Sequence, residues 1–215
     1  TPVDWPEVTL AQWIGARLPK ASRVGIDPWL HSVSQLQDLE TGLPGVDLVR
    51  SANLVDAVWR DQPAPPQGAV FKQPVDLAGE DHEAKIARLA KSLGRAKAAV
   101  ITLPDSIAWL LNIRGSDIPR NPVPHGFALL HASGTVTLFM AAAKLNGIDL
   151  GPLVDIHAPE TFLEQVAQLD GPILVDASSV PVAVYDVLTA SGLDVLQGED
   201  PCSLPKACKN PVEIA

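Results

Sequence analysis

Along residues 9–18 the apolar positions Leu10, Trp13, Ile14 and Leu18 recur at helical spacing until Pro19 stops the run, so the pattern predicts an opening helix. Arg23-Val24-Gly25-Ile26-Asp27-Pro28 then reads as a short buried strand halted by Asp-Pro. Residues 32–41 follow as a helix closed by Gly42, and residues 46–49 as a second strand. Leu54, Val55, Val58 and Trp59 form the apolar face of another helix, which Ser51 or Asn53 would cap. The strongest amphipathic pattern is residues 80–93, where Ile86, Leu89, Ala90 and Leu93 make one stripe, acids crowd the first turn and Gly94 ends the run. Residues 98–103 are a strand. Asp105 is placed to cap a helix carrying Ile107, Leu110 and Leu111, which breaks at Gly115-Ser116-Asp117. Residues 127–130 and 136–139 flank Ala132-Ser133-Gly134-Thr135 as a hairpin. A helix over 160–169, a strand over 173–175, a helix over 180–189 and a strand over 194–196 complete the pattern.

The last elements copy the first. Residues 22–61 and 171–210 each run strand, Asp at the strand end (Asp27, Asp176), helix, Gly turn, strand and short helix, which is the signature of an internal repeat. Between the copies, Asp61-Gln62-Pro63-Ala64-Pro65-Pro66-Gln67-Gly68 favours an extended polyproline conformation and reads as a linker. The expected organisation is therefore α/β, in two domains with mixed sheets covered by helices, residues 1–69 and 70–208. The first domain is expected to be incomplete, because little precedes its copy of the repeat whereas some 90 residues precede the second. Residues 209–215, with Pro211 in the first turn and Glu213 soon after, look like the opening of a further helix, so the sequence reads as an interior piece of a longer protein.

Composition narrows the partners. The 215 residues carry 16 Lys and Arg against 25 Asp and Glu, and a net charge of −9 repels phosphate backbones, which argues against nucleic acid. No run of about 18 apolar residues offers a membrane span, and the opening residues lack a basic segment followed by an apolar stretch. Cys202 and Cys208 lie six apart in a stretch read as helical, a rise of about 9 Å, which is beyond a disulfide. Two unbridged thiols suit a reducing cytoplasm.

The common catalytic signatures, a Gly-rich phosphate loop, His-Glu-x-x-His, Cys-x-x-Cys and Gly-x-Ser-x-Gly, are absent. His125 and His131 stand six apart around a strand, an even spacing that allows one face, with Asp105 or Asp117 as a third metal ligand; the plainer reading is two loop-end histidines. Ser106, His125 and Asp117 make a conceivable triad but lack a strained nucleophile turn. The segment 107–123 differs in kind. An apolar helix delivers Arg114 and Asp117 onto a Gly-Ser turn, and Asn121-Pro122 fixes an extended approach to the next strand. Arg114 offers a planar fork for a carboxylate, while Asp117 either holds an amine or fixes the turn; the plainer alternative is an Arg–Asp pair that anchors the loop.

The strings IAWLLNIRGSDIPRNPV, NLVDAVWRDQPAPP and KACKNPVEIA, in this order, closely resemble the three-domain Xaa-Pro aminopeptidases (aminopeptidase P), and the similarity covers nearly the whole chain. The resemblance implies two creatinase N-terminal-type (ribonuclease H-like) domains ahead of a catalytic "pita-bread" domain that begins near Lys209. That family removes the N-terminal residue preceding proline, using two divalent metal ions, manganese or zinc, whose ligands belong to the catalytic domain. None of those ligands maps onto this chain, so the resemblance implies no cofactor here, no catalytic residue, and a role in walling the cleft and in assembly. It further implies a peptide substrate, the chain's own catalytic domain as a partner, a homodimer at full length and a cytoplasmic location. Arg114, Asp117 and Asn121 are the residues expected to face the cleft. Two departures stand out. Leu103-Pro104-Asp105-Ser106 replaces a family Leu-Asp-Glu and removes one acid, and Pro124-His125-Gly126 stands where aromatic residues usually follow Asn-Pro-Val. The competing reading is a standalone protein-binding or scaffold module of the same fold.

Overall fold

The computed structural model of the chain describes residues 7–214, so the extreme ends of the expected first domain and of the expected closing helix lie outside the described residues. The first half comprises α1 (Leu10–Gly15), β1 (Arg23–Ile26), α2 (Val33–Gly42), β2 (Asp47–Arg50) and α3 (Leu54–Val58). After the proline-rich linker come β3 (Phe71–Lys72), α4 (Val75–Ala78), α5 (His82–Ser92), β4 (Ala98–Ile101), α6 (Pro104–Leu110) and β5 (Ile113–Arg114). Then follow β6 (Phe127–His131), β7 (Val136–Phe139), β8 (Val154–His157), α7 (Phe162–Ala167), β9 (Ile173–Val175), α8 (Val182–Ala190), β10 (Val195–Gln197), α9 (Ser203–Ala207) and α10 (Pro211–Ile214).

Ala98-Ala99-Val100-Ile101 is buried along its whole length, as a strand covered on both faces must be, and β4 stands inside a sheet of order β10-β9-β4-β6-β7-β8. The sheet is mixed: β4 runs parallel to β9 and antiparallel to β6, β6 and β7 form the expected hairpin, and β7 runs parallel to β8. The two-residue period of a strand divides the core. Ala98 and Val100 pack with Phe162 of α7 and with Val184 and Leu188 of α8, whereas Ala99 and Ile101 pack with Ile86 and Leu89 of α5 and with Ile107 and Leu110 of α6.

The internal repeat is present in three dimensions. β1 pairs in parallel with β2 as β9 does with β10, and α2 and α8 occupy the same place between the strands. The two copies meet across an approximate two-fold axis. Val33 N–H donates to Val180 O and Val182 N–H to His31 O; Ser34 N–H donates to Ala177 O and Ala183 N–H to Pro28 O. One constant shift, of 149 residues, carries each bond onto its reciprocal, with Ser32 and Pro181 bridged at the centre. Asp27 and Asp176 repeat too, each accepting the N–H two residues on (Trp29 and Ser178) at 2.8 Å. The exposed Arg50–Asp186 fork, at 2.9 and 3.0 Å, adds a side-chain link worth about 0.2–1 kcal/mol.

Several expectations are corrected. α1 stops at Gly15, and Arg17 and Leu18 fold back onto Ile14 as a turn instead of extending the helix. Gly42 does close α2, but as its last helical residue ahead of Leu43 and not as a left-handed residue beyond it: a Cβ there would stand 2.7 Å from that of Ala11, so glycine lets α1 and α2 approach. Asn53, not Ser51, caps α3. Asp105 does not cap α6; Pro104 takes the first helical position after Leu103, which puts the acid one place inside, where it pairs with Lys206. The helix expected over 160–169 starts as a 3-10 turn, Pro159–Thr161, before α7.

The end of the described chain is tied down. Asn210 Oδ1 accepts from Val212 and Glu213 N–H at 3.0 Å each and Glu213 Oε2 accepts from Asn210 N–H at 3.0 Å, a complete capping box for α10. Asn210 Nδ2 also donates to Ala78 O at 2.7 Å, and a Cβ on Gly79, whose φ is 70°, would collide with the Asn210 amide. Gly79→Ala should therefore lose about 1–2 kcal/mol for the left-handed backbone alone, read by urea unfolding, and more if Asn210 is displaced.

Candidate functional site: a cavity at the strand ends and its anchored loop

Strands β4, β7 and β8 end on the same side of the sheet, and a cavity of about 420 Å3 opens there. Thr102 follows β4 into it, Ala141 follows β7 and Glu160 follows β8; His125, Phe127 and the linker's Pro66 close the other walls. The carboxyl ends of strands are where open α/β sheets bind ligands. An aromatic series continues from it: Phe127 stacks on Phe162 with centroids 4.3 Å apart, and Trp29, from the first half, tilts against Phe127 at 5.9 Å. A larger hollow, about 540 Å3, lies between α1 and α2, away from the loop that carries the candidate residues.

That loop hangs on one buried ion pair. The Asp117 carboxylate is fully buried; one oxygen accepts Gly68 N–H at 2.8 Å, while the other accepts His125 N–H at 2.6 Å and Lys144 Nζ at 2.5 Å. Lys144 Nζ also reaches His125 O at 3.2 Å, and Lys144 O accepts Val70 N–H at 2.9 Å. The linker, the loop and the 3-10 turn Ala142–Leu145 are thus fastened together, and the His125 backbone is held on both sides. Burial pushes the Asp117 carboxyl up, but the bonds from Lys144, His125 and Gly68 outweigh it and hold the group below the usual carboxylate range. Of the two roles open to Asp117, the structure shows the anchor. Its partner is Lys144, so the Arg–Asp pair does not form.

Arg114 is half-buried and donates through Nη1 to Ala108 O at 3.3 Å and Ile113 O at 2.8 Å; among the described residues no carboxylate lies within ion-pair distance. Burial lowers its pKa, an effect that Glu213 partly offsets. Asn121 is exposed at the end of a turn in which its N–H donates to Ile118 O at 3.1 Å, with Pro119 second and Arg120 left-handed (φ 66°) third, the form of a type II turn.

The metal and triad readings fail on geometry. β6 separates His125 from His131 by about 20 Å of extended chain, and His131 bonds Thr137 Oγ1 at 2.9 Å. Asp105 and Asp117 are each engaged by a lysine, and among the described residues no three His, Cys, Asp or Glu converge on a possible ion. Ser106 Oγ is buried without a partner, and Asp117 meets the His125 backbone, not its ring. Cys202 is buried and Cys208 exposed, both free; burial, reinforced by Asp200, raises the Cys202 thiol well above its ordinary value.

Lys144 escaped the sequence reading, although a lone lysine inside Ala141-Ala142-Ala143-Lys144-Leu145 is a signal for a buried cation. Lys85 escaped it too, and its i, i+4 spacing to Leu89 places it on the apolar stripe. Its Nζ is buried and donates to Trp109 O at 3.0 Å and Asn112 Oδ1 at 2.7 Å, 4.4 Å above the Trp109 ring.

Comparison with known proteins agrees with this architecture. The family profile for the Creatinase/Prolidase N-terminal domain matches residues 61–213. A probable Xaa-Pro aminopeptidase P of Aspergillus niger is 36% identical over 98% of this chain, and one of Paracoccidioides lutzii is 32% identical over 96%. The chain spans only 36–37% of the length of these relatives. In fold it superposes with a TM-score of 0.82, at 23% identity, over 98% of its length and 37% of the X-prolyl aminopeptidase of Caenorhabditis elegans, described as a cytosolic enzyme with a di-nuclear active site. No helix among the described residues is long and apolar enough to cross a membrane. The chain belongs to the creatinase/prolidase N-terminal domain family.

Proposed function

We propose that this chain is the non-catalytic region of a metal-dependent Xaa-Pro aminopeptidase, which removes the N-terminal residue preceding proline from peptides in the cytoplasm. The observation that carries the reading is the alignment of 98% of the chain with a relative of that name, of which it makes up 36%. The two divalent ions of such an enzyme find no donor set among the described residues and belong to its catalytic domain. The chain's own work is to form a wall of the substrate cleft. Arg114 keeps a half-buried guanidinium, bonded to the Ala108 and Ile113 carbonyls and without a carboxylate partner among the described residues, Asn121 stands exposed on the loop, and Asp117 holds that loop from behind. Assembly as a homodimer is part of the same reading.

The test is release of the first amino acid from an Xaa-Pro peptide by the full-length gene product and by the 215-residue chain in parallel. Turnover by the longer protein alone, abolished by a chelator and restored by manganese or zinc, is the expected result. Turnover by the short chain overturns the non-catalytic role; none by either, with a stable protein complex formed by the short chain, would make it a scaffold module.

A further inference from the structure

The chain has five asparagines, and four of them are protected from attack by their own backbone. Asn121 and Asn210 precede proline, which has no N–H. Asn112 is buried, accepting from Lys85 Nζ and donating to Glu80 O, and Asn53 precedes the bulky Leu54 and spends its Oδ1 on Val55 N–H. Asn146 differs. It is exposed, it precedes Gly147, and the two form the corner of a type II turn, with φ −55° and ψ 118° at Asn146, φ 75° at Gly147 and a bond from Ile148 N–H to Leu145 O at 2.9 Å. Among the described residues nothing accepts from the Gly147 N–H, and nothing lies within 4 Å of where a Gly147 Cβ would stand.

We propose that Asn146 is a site of spontaneous deamidation, and that the modification loosens the turn that carries Lys144. The Gly147 nitrogen, its proton taken by hydroxide, attacks Asn146 Cγ; the Cγ–Nδ2 bond breaks, Nδ2 leaves as ammonia with a proton from water, and a succinimide ring closes. One water then opens the ring. Cleavage at Cγ leaves aspartate, whereas cleavage at the main-chain carbonyl leaves isoaspartate, in which the backbone runs through Cβ. The attack requires the peptide between the two residues to rotate. Glycine has no side chain to resist, its surroundings are open, and the bond that spans the turn is the single one from Ile148 to Leu145. The product forms two residues beyond Lys144, at the end of the 3-10 turn Ala142–Leu145 that aims its ammonium at Asp117. Leu145 belongs to the core and Ile148 packs against it, so an extra backbone atom between them cannot be taken up without shifting that turn. The chemistry needs only water and is independent of the function proposed above.

Ageing the 215-residue chain in mildly alkaline buffer at body temperature, followed by peptide mapping, tests it. Asn146 should gain the mass of about 1 Da that replaces an amide by an acid, about tenfold faster than any other asparagine, and an isoaspartate-specific methyltransferase should label the same peptide. Asn146→Gln should remove the label. An Asn146 that stays intact while a free peptide of residues 144–148 converts overturns the site, because the fold then protects it. The effect on the anchor is read on the aged fraction, separated by its added charge. The Gly68 and His125 amides, which donate to Asp117, should exchange hydrogen about tenfold faster there than in fresh protein, and Asn146→Asp, which adds the charge without the extra backbone atom, should match fresh protein. Equal exchange in aged and fresh protein overturns the link to Lys144; faster exchange in Asn146→Asp as well assigns the loosening to charge and overturns the role of the lengthened backbone.

Discussion

Asp117→Ala is expected to cost about 3–5 kcal/mol of folding stability, since it strands a buried ammonium and leaves two backbone donors without an acceptor. For a chain of this size that is a fall in melting temperature on the order of 10 °C. The loss should not add to that of Lys144→Met: the double variant should cost clearly less than the sum, because each single change abandons a buried partner. The pH dependence has a definite sign. The folded carboxyl titrates below its unfolded value of about 3.9, so its contribution is complete above that value and is lost as pH falls through the folded one. Wild type and Asp117→Ala should therefore converge in acid. A stability difference that stays constant from neutrality down to acid would show instead that the loss does not come from the ionised carboxylate.

Trp109→Ala should be comparably damaging, about 3–5 kcal/mol for a large ring removed from a packed core. The ring has a second task. Lys85 lies over its face, Arg88 approaches it at 5.9 Å, and among the described residues the lysine has no carboxylate in ion-pair contact. A desolvated cation over an indole gains about 2 kcal/mol, so Trp109→Phe, which keeps a weaker face, should fall between alanine and wild type. Burial lowers the Lys85 pKa, partly offset by Glu80 and Glu213. The unfolded chain then binds more protons between the folded value and about 10.4, and wild-type stability should rise with pH across that window. Lys85→Met removes that rise; if urea midpoints show the same slope in both proteins, Lys85 is not the group responsible.

The elements legible in the sequence were those whose burial follows a simple period. The β1–α2–β2 unit and its copy, the hairpin and the stripe of α5 all stand where the pattern puts them, because each side chain meets the layer its periodicity dictates. What escaped is set by contacts distant in sequence. β3 and β5 are two residues each and exist only because Phe71 and Lys72 reach Arg114 and Ile113. β8 exists because Val154–His157 lies beside β7, and its own Val-Asp-Ile-His offers little signal after Gly151-Pro152. The loop of the candidate site was recognised, but its anchor was not: Lys144 arrives from 27 residues beyond Asp117, and no local rule pairs them. Arg114 was read as a partner for Asp117 by nearness in sequence, yet β5 carries its side chain back toward the end of α6.

The seam between the two copies is built from peptide N–H and C=O groups, with unlike side chains at matching places: Pro28 and Ala177, His31 and Val180, Ser32 and Pro181, Ser34 and Ala183. Main-chain bonds are indifferent to what each residue carries, so the halves were free to drift apart in sequence while staying joined. The freedom ends at the four donors. Proline at 33, 34, 182 or 183 deletes an N–H that no other atom of the residue replaces, which makes those positions the ones where a single imino acid would pry the duplicated units apart.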